Sequence, residues 1–279
     1  MTMEFAGSST NVGVDAASFA KLTDLVWRTS GIKLREGKQM LVLSRLSRRV
    51  RNLGFDHLSD YVVYLATPGA HAELEGAIDA ITTNVTNFFR HERHFEFVAE
   101  RTKRAIAAGQ TRFRYWSAAC SSGEEPYSLA MTLVDAAGTG RLDLKILATD
   151  ISTRILARAM RGEYEAADLA TLPDGYLRKY FHSSPGRATS VVNDRVKASI
   201  LFRHYNLSGR RLPIEGTLDG VFCRNVMIYF DRDLRQHLVD EASRLLKPGG
   251  CFFVGQSESL TGLRHPALDT AEPSIFVKR

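Results

Sequence analysis

Glu124 and Glu125 close a run of small residues, Ser117-Ala-Ala-Cys-Ser-Ser-Gly123, and Asp150 follows about one strand-and-helix unit later. Upstream of the run, Phe113, Tyr115 and Trp116 have the aromatic character of a buried strand. Downstream, Pro126 fits the first turn of a helix continuing through Tyr127, Leu129, Ala130, Leu133 and Val134, and carboxylates are favourable at such a start. Strand, small-residue turn and helix together are how open α/β sheets build a ligand crevice at the carboxyl ends of their strands. The small residues let the backbone approach a ligand closely. The turn is not a phosphate loop: it has no Gly-Lys-Ser/Thr, and two acids at the helix start would repel phosphate.

Negative charge at that place suits a cationic ligand offering amino and hydroxyl donors, and S-adenosylmethionine, with its sulfonium, ammonium and ribose, has that chemistry. An ordinary βα turn with well-placed glutamates is the alternative. Asp150 ends the apolar segment Leu144-Lys-Ile-Leu-Ala-Thr, where an acid accepts hydrogen bonds from ribose hydroxyls; it would equally serve to cap the next helix. A further polar segment, Thr82-Thr-Asn-Val-Thr-Asn-Phe-Phe-Arg90, offers Asn, Thr and Arg side chains at a domain junction, where ligand pockets concentrate. Its plainer reading is a linker with Phe88 and Phe89 inserted in a core. Arg224-Asn-Val-Met-Ile-Tyr-Phe230 follows the buried strand Leu218 to Cys223.

The elements that must position these residues fall into two parts. Asp15 to Gly31 reads as a helix capped by Asp15, and Gly37 to Leu53 as a second, with Arg45, Arg48 and Arg49 at i, i+3 and i+4 on one face. Lys33, Arg35 and Lys38 precede it with almost no compensating acid, so the face reads as a docking surface for an anionic partner rather than a solvated flank. Asp56 is expected to cap a third helix, and Ala72 to Thr82 forms a fourth. Residues 15–83 therefore read as an all-α domain, after a tail over residues 1–14 that lacks the pattern of a secretory signal. Residues 84–279 read as the second domain, with a helix from Arg93 to Ala108 and, from Phe113 onward, alternating strands and helices. Gly162 to Phe181 reads as an irregular helix; Ser190 to Val192 and Ala198 to Phe202 read as a hairpin apart from the main sheet. Leu246 to Gly250 reads as a sharp turn, Cys251 to Gly255 as a strand, and Ile275 to Val277 as the closing strand.

Composition narrows the class. The 279 residues are 44% apolar and 24% charged, ordinary for a globular protein, and no apolar run approaches the length of a membrane span. The net charge of +6 points to an anionic partner without choosing its kind. The three cysteines are far apart and lack metal spacing, so no metal site is expected. No aromatic-basic interleaving for base stacking is present, which argues against nucleic acid.

Three segments in this order, Asn84-Val-Thr-Asn-Phe-Phe-Arg90, Gly123-Glu-Glu-Pro-Tyr-Ser128 and Cys223-Arg-Asn-Val-Met-Ile-Tyr-Phe230, carry a resemblance. With Ala148-Thr-Asp150, Asn206-Leu207 and Leu246 to Gly250, they make the chain resemble the chemotaxis receptor methyltransferases, the CheR type, over nearly its whole length. The resemblance implies an N-terminal all-α domain joined to an S-adenosylmethionine-dependent, Rossmann-like α/β methyltransferase domain with a small inserted antiparallel β subdomain, about residues 182–201. It implies a protein-glutamate O-methyltransferase acting in the cytoplasm as a monomer on the helical methylation region of chemoreceptors, converting S-adenosyl-L-methionine to S-adenosyl-L-homocysteine, with no membrane insertion. The cofactor contacts it implies are Asn84, Thr86, Arg90, Glu125, Asp150, Asn206, Leu207, Arg224 and Asn225, with Arg90 and Tyr229 near the methyl donor and Arg45, Arg48 and Arg49 steering the receptor. The turn Ser183 to Thr189 is shorter than in members that grip a receptor's C-terminal pentapeptide, so no such tether is expected. A non-catalytic cofactor-binding adaptor and a methyltransferase on another acidic or nucleic-acid substrate are the alternatives.

Overall fold

The computed structural model describes residues 15–34, 37–82, 84–183, 188–209, 214 and 216–279. The tail expected over residues 1–14, Arg35 of the basic run and residues 184–187 of the expected tether turn lie outside them. The chain divides into two compact units, Met1–Thr83 and Asn84–Arg279.

The first unit is four helices: α1 (Ala16–Ser30), α2 (Gln39–Asn52), α3 (Leu58–Leu65) and α4 (His71–Ile81). Asp15 caps α1 by accepting from Ser18 N at 2.8 Å, as its residue type predicts. The cap expected at Asp56 is instead the extended residue His57, which makes no side-chain cap bond. Apolar positions at helical spacing, Leu22 and Val26 on α1, Leu46 and Val50 on α2, and Tyr61 on α3, are fully buried and form the core of this unit.

The second unit opens with α5 (Glu92–Ala107) and alternates through β1 (Arg112–Ala118), α6 (Glu124–Ala137), β2 (Asp143–Asp150) and α7 (Thr153–Arg161). Then come β3 (Glu163–Glu165), α8 (Tyr176–Tyr180), β4 (Phe181–Ser183), β5 (Thr189–Val192), α9 (Asp194–Lys197), β6 (Ile200–His204), β7 (Leu218–Cys223), α10 (Arg232–Leu245), β8 (Leu246–Val254), β9 (Leu268–Glu272) and β10 (Ile275–Lys278). The main sheet runs β6-β2-β1-β7-β8-β10-β9; its first five strands are parallel and β10 is antiparallel to both neighbours. Strand order reverses between β1 and β7. Connections leave the sheet in opposite directions there, and open α/β sheets bind their ligands outside the carboxyl ends of the strands at such a point.

The small antiparallel sheet is β3-β5-β4. Two expectations change here. Glu163–Glu165, read as helix, is its first strand. Ile200–His204, read as half of a detached hairpin, instead pairs in parallel with β2, from Ile146 opposite Ile200 to Asp150 opposite His204. A short strand such as this, with three apolar residues, carries no record of which sheet it joins; the crossover decides that. Likewise Leu246–Gly250 is not a free turn but the start of β8, with a register shift against β7 between Leu218 and Gly220.

Candidate active site

The loop between β1 and α6 turns within five residues. Ala119, Ser121 and Gly123 have φ of 62°, 50° and 99°. At Gly123 a Cβ would lie 2.9 Å from the Tyr164 hydroxyl and 3.0 Å from the Ala159 side chain, so only glycine fits. Cys120 N donates to Thr149 O (2.8 Å) and Ser121 N to the Asp150 carboxylate (2.8 Å), which tie the loop to the end of β2. Asp150 also accepts from Ser152 N (3.0 Å) and is buried. A carboxylate has about four acceptor positions, so bonds to these backbone N–H groups do not by themselves preclude a ribose contact. They also correct the helix-cap alternative: the cap of α7 is Ser152, whose hydroxyl accepts from Ile155 N at 3.0 Å. Tyr205 N donates to Asp150 O (3.0 Å), bringing Asn206 and Leu207 to the same end of the sheet. The Asn206 side-chain oxygen accepts from Ser208 N at 3.0 Å, and Leu207 is buried.

The two glutamates at the start of α6 separate in role. Glu124 is buried against its own loop, with the Ser122 hydroxyl donating at 2.7 Å, and burial raises its carboxyl above the usual range. Glu125 accepts from Ser117 Oγ at 2.7 Å and lies 3.2 Å from Arg224 Nη1. Burial pushes the Glu125 carboxyl up and Arg224 opposes that shift. Only 2% of the Arg224 side chain is exposed, so its positive charge is compensated chiefly by Glu125. Arg224 Nη2 donates to Arg90 O, and its guanidinium stands over Phe95 (5.5 Å) and Phe222 (5.8 Å). Its Nε is buried without a hydrogen-bond partner among the described residues, while Nη1 has the Glu125 carboxylate at ion-pair distance. Buried polar atoms of this kind call for an explanation, and a bound polar ligand supplies one.

The segment before α5 reaches the same place. Ser121 Oγ donates to Asn84 O (3.2 Å), and Arg90 Nη1 donates to Val85 O (2.9 Å). Phe89 and His91 adopt φ of 53° and 60°, two left-handed non-glycine residues flanking Arg90. Each conformation costs roughly 1–3 kcal/mol and clusters at functional sites. Phe88 is fully buried against Tyr164 (4.8 Å) and Phe181 (5.8 Å), so it is the core anchor that the plainer reading expects. Thr86 is half-buried in this segment.

After β7, Asn225 also has a left-handed φ of 58°, and Tyr229 ends a single 3-10 turn, Met227–Tyr229. Beside both lies a residue that sequence reading missed, Glu258. Its carboxylate accepts from Asn225 N (2.7 Å), Ile228 N (3.2 Å) and Gly255 N (2.6 Å) and is 7% exposed. The only signal was an acid three residues beyond the end of an apolar strand.

The basic face of α2 divides. Arg49 forms a two-pronged pair with Glu73 on α4 (2.7 Å each), to which the Tyr61 hydroxyl also donates (2.6 Å). Burial works against the Glu73 carboxylate, but the hydrogen bonds from Arg49 and Tyr61 outweigh it and hold the carboxyl below its usual range. Arg45 donates to Ile81 O and to Thr82 O (3.3 Å). The expectation that all three arginines face a partner therefore changes: Arg45 and Arg49 hold α2 to α4, and Arg48 is the exposed one.

The donor set at the crevice fits S-adenosylmethionine. Two acids, Glu125 in the first turn of α6 and Asp150 at the end of β2, stand with the guanidinium groups of Arg90 and Arg224, and a ligand carrying cationic, hydroxyl and carboxylate groups needs donors and acceptors of these kinds. No helix among the described residues is long and apolar enough to cross a membrane, and none of their side chains cluster as a metal site. The family model described as CheR methyltransferase, all-alpha domain, matches residues 17–82, and that described as CheR methyltransferase, SAM binding domain, matches residues 84–272. The chemotaxis protein methyltransferase of Salmonella typhimurium is 38% identical over 249 residues, 88% of this chain and 85% of that protein. Chemotaxis protein methyltransferase 2 of Pseudomonas aeruginosa is 38% identical over 88% of each chain, and the Borreliella burgdorferi chemotaxis protein methyltransferase 33% over 96% of each. With both family models matched in order and relatives aligned over most of their length, the chain belongs to the CheR family of S-adenosylmethionine-dependent methyltransferases of chemotaxis.

Proposed function

We propose that this enzyme is a cytoplasmic protein-glutamate O-methyltransferase whose acceptors are glutamates on the helical region of chemoreceptors. The observation that carries this reading is the setting of Arg90. Its backbone carbonyl is held by Arg224 and one guanidinium nitrogen is anchored on Val85 O, while the rest of the fork makes no hydrogen bond among the described residues. A fixed guanidinium with spare donors is suited to a carboxylate, on the cofactor or on the incoming glutamate.

S-adenosylmethionine supplies a methyl group on a sulfonium, already a good leaving group. A glutamate is ionised at neutral pH, so the chain has no need of a strong base or metal. What its residues contribute is alignment, which is worth several orders of magnitude in rate. In this reading Asp150 takes the ribose and Glu125 the cationic end of the cofactor, with Asn84, Thr86, Asn206, Leu207, Arg224 and Asn225 completing its cradle. Tyr229 steers the acceptor oxygen through its hydroxyl. Arg48 of α2 meets the acidic receptor helix and raises its encounter rate.

Transfer of labelled methyl from the cofactor to purified receptor, compared with RNA, tests the substrate class. Label on receptor that base releases as methanol is the expected result; label on RNA, or none, refutes it. Arg90→Ala should lose both turnover and cofactor affinity, and values within a factor of two of wild type would remove Arg90 from its role.

A further inference from the structure

We infer that Glu258 is a positioning residue for methyl transfer: it holds Asn225 and the turn bearing Tyr229 in their working geometry. The inference rests on the roles proposed above for those two residues. Three backbone N–H groups converge on one carboxylate, Asn225 and Gly255 on Oε2 at 2.7 and 2.6 Å and Ile228 on Oε1 at 3.2 Å. Two of the donors follow β7 and one follows β8, so the carboxylate bridges neighbouring strands at their carboxyl ends. Asn225 N–H capture fixes a residue in the left-handed region, which an uncaptured side-chain-bearing residue would tend to leave. The Ile228 bond sits inside the Met227–Tyr229 turn, so the segment is held on both sides of its bend.

The fit is close. A Cβ on Gly255 would lie 2.7 Å from Glu258 Oε2 and 2.7 Å from Asn225 Nδ2, so glycine there is what allows the carboxylate its approach. Glu258 forms no ion pair among the described residues. A buried carboxylate without a salt-bridged cation is tolerable when hydrogen bonds satisfy it, and here both oxygens are used, with the Arg224 charge near enough to attract it. Glutamine offers one acceptor oxygen and would set an N–H₂ against a backbone N–H.

The test uses the full chain and three measurements on Glu258→Gln: S-adenosylhomocysteine binding by calorimetry, steady-state kinetics on receptor, and thermal unfolding without ligand. Product affinity should fall about tenfold and kcat about a hundredfold, the scale set by a misplacement of about 1 Å, while KM for receptor stays at the wild-type value. A merely structural role would lower Tm and leave kcat per folded molecule intact, and that outcome overturns the inference. Asn225→Ala combined with Glu258→Gln should be little worse than the more damaging single change, because the two act as one unit; multiplying effects would overturn it too. If Glu258→Gln melts too low to assay, Glu258→Asp, which keeps the charge but withdraws it, carries the same expectation. Ser257→Ala, at an exposed neighbour, should behave as wild type. Failure of the wild-type protein itself to bind S-adenosylhomocysteine would count against the cofactor reading instead.

Discussion

His94 sets the steepest pH dependence to be expected of this fold. The ring is 2% exposed, beside Phe253 (5.4 Å between centroids) and His91 (5.9 Å). Its Nε2 meets Ser274 Oγ at 2.8 Å, and the Ser274 proton goes to Pro273 O (2.6 Å), so Nε2 is the donor and the N–H of the neutral ring is satisfied. Nδ1 is buried with no hydrogen-bond partner among the described residues, and protonating it would strand an N–H. Burial, then the nearby Arg224 charge and His91, lower the His94 pKa from 6.5 to about 3. Between those values the unfolded chain binds a proton that the folded chain refuses, so stability is fully present above the unfolded value and falls as pH drops. The slope is up to about 1.4 kcal/mol per pH unit. From about pH 7.5 to about pH 5 this one ring removes about 2 kcal/mol, or about 4–8 °C in Tm for a unit of this size. His94→Gln should be less stable than wild type at neutral pH yet lose about 2 kcal/mol less on acidification. Chemical denaturation of both proteins across that range measures the difference. Parallel pH profiles for wild type and variant would refute the buried neutral ring.

The ion pair of Glu125 and Arg224 makes a second expectation. Glu125→Gln leaves a guanidinium buried without its partner charge, which costs about 3–5 kcal/mol, and the double change Glu125→Gln with Arg224→Met should recover a good part of it. Thermal melts of both without ligand check this, and a double variant no more stable than the single one refutes it. On α2, Arg48→Glu should raise KM for receptor with no change in Tm, whereas Arg49→Glu should lose about 2 kcal/mol of stability by setting a carboxylate against Glu73. Equal effects at the two positions, read by kinetics and melting, would undo the division of that face.

The residue types of the β1–α6 turn and their order were enough to place the strand, turn and helix start over Ser117 to Glu125 and an acid, Asp150, at the end of the next strand. Strand, small-residue turn and helix start are written in neighbouring residues, and neighbours fix local conformation. The cap at Asp15 and the core stripes of α1 and α2 were legible for the same reason. Tertiary structure alone decided the rest. Ile200–His204 joined the edge of the main sheet because a crossover carried it there, and its apolar start, Ile200 to Phe202, would have suited either sheet. Arg49 turned from docking residue to internal partner because α4 brought Glu73 to it from 24 residues away. Glu258 acquired its place only when two parallel strands set three N–H groups around it. Partners distant in sequence leave no periodicity to read; hydrogen bonds and ion pairs depend on positions fixed to within an ångström, and only the folded chain supplies those.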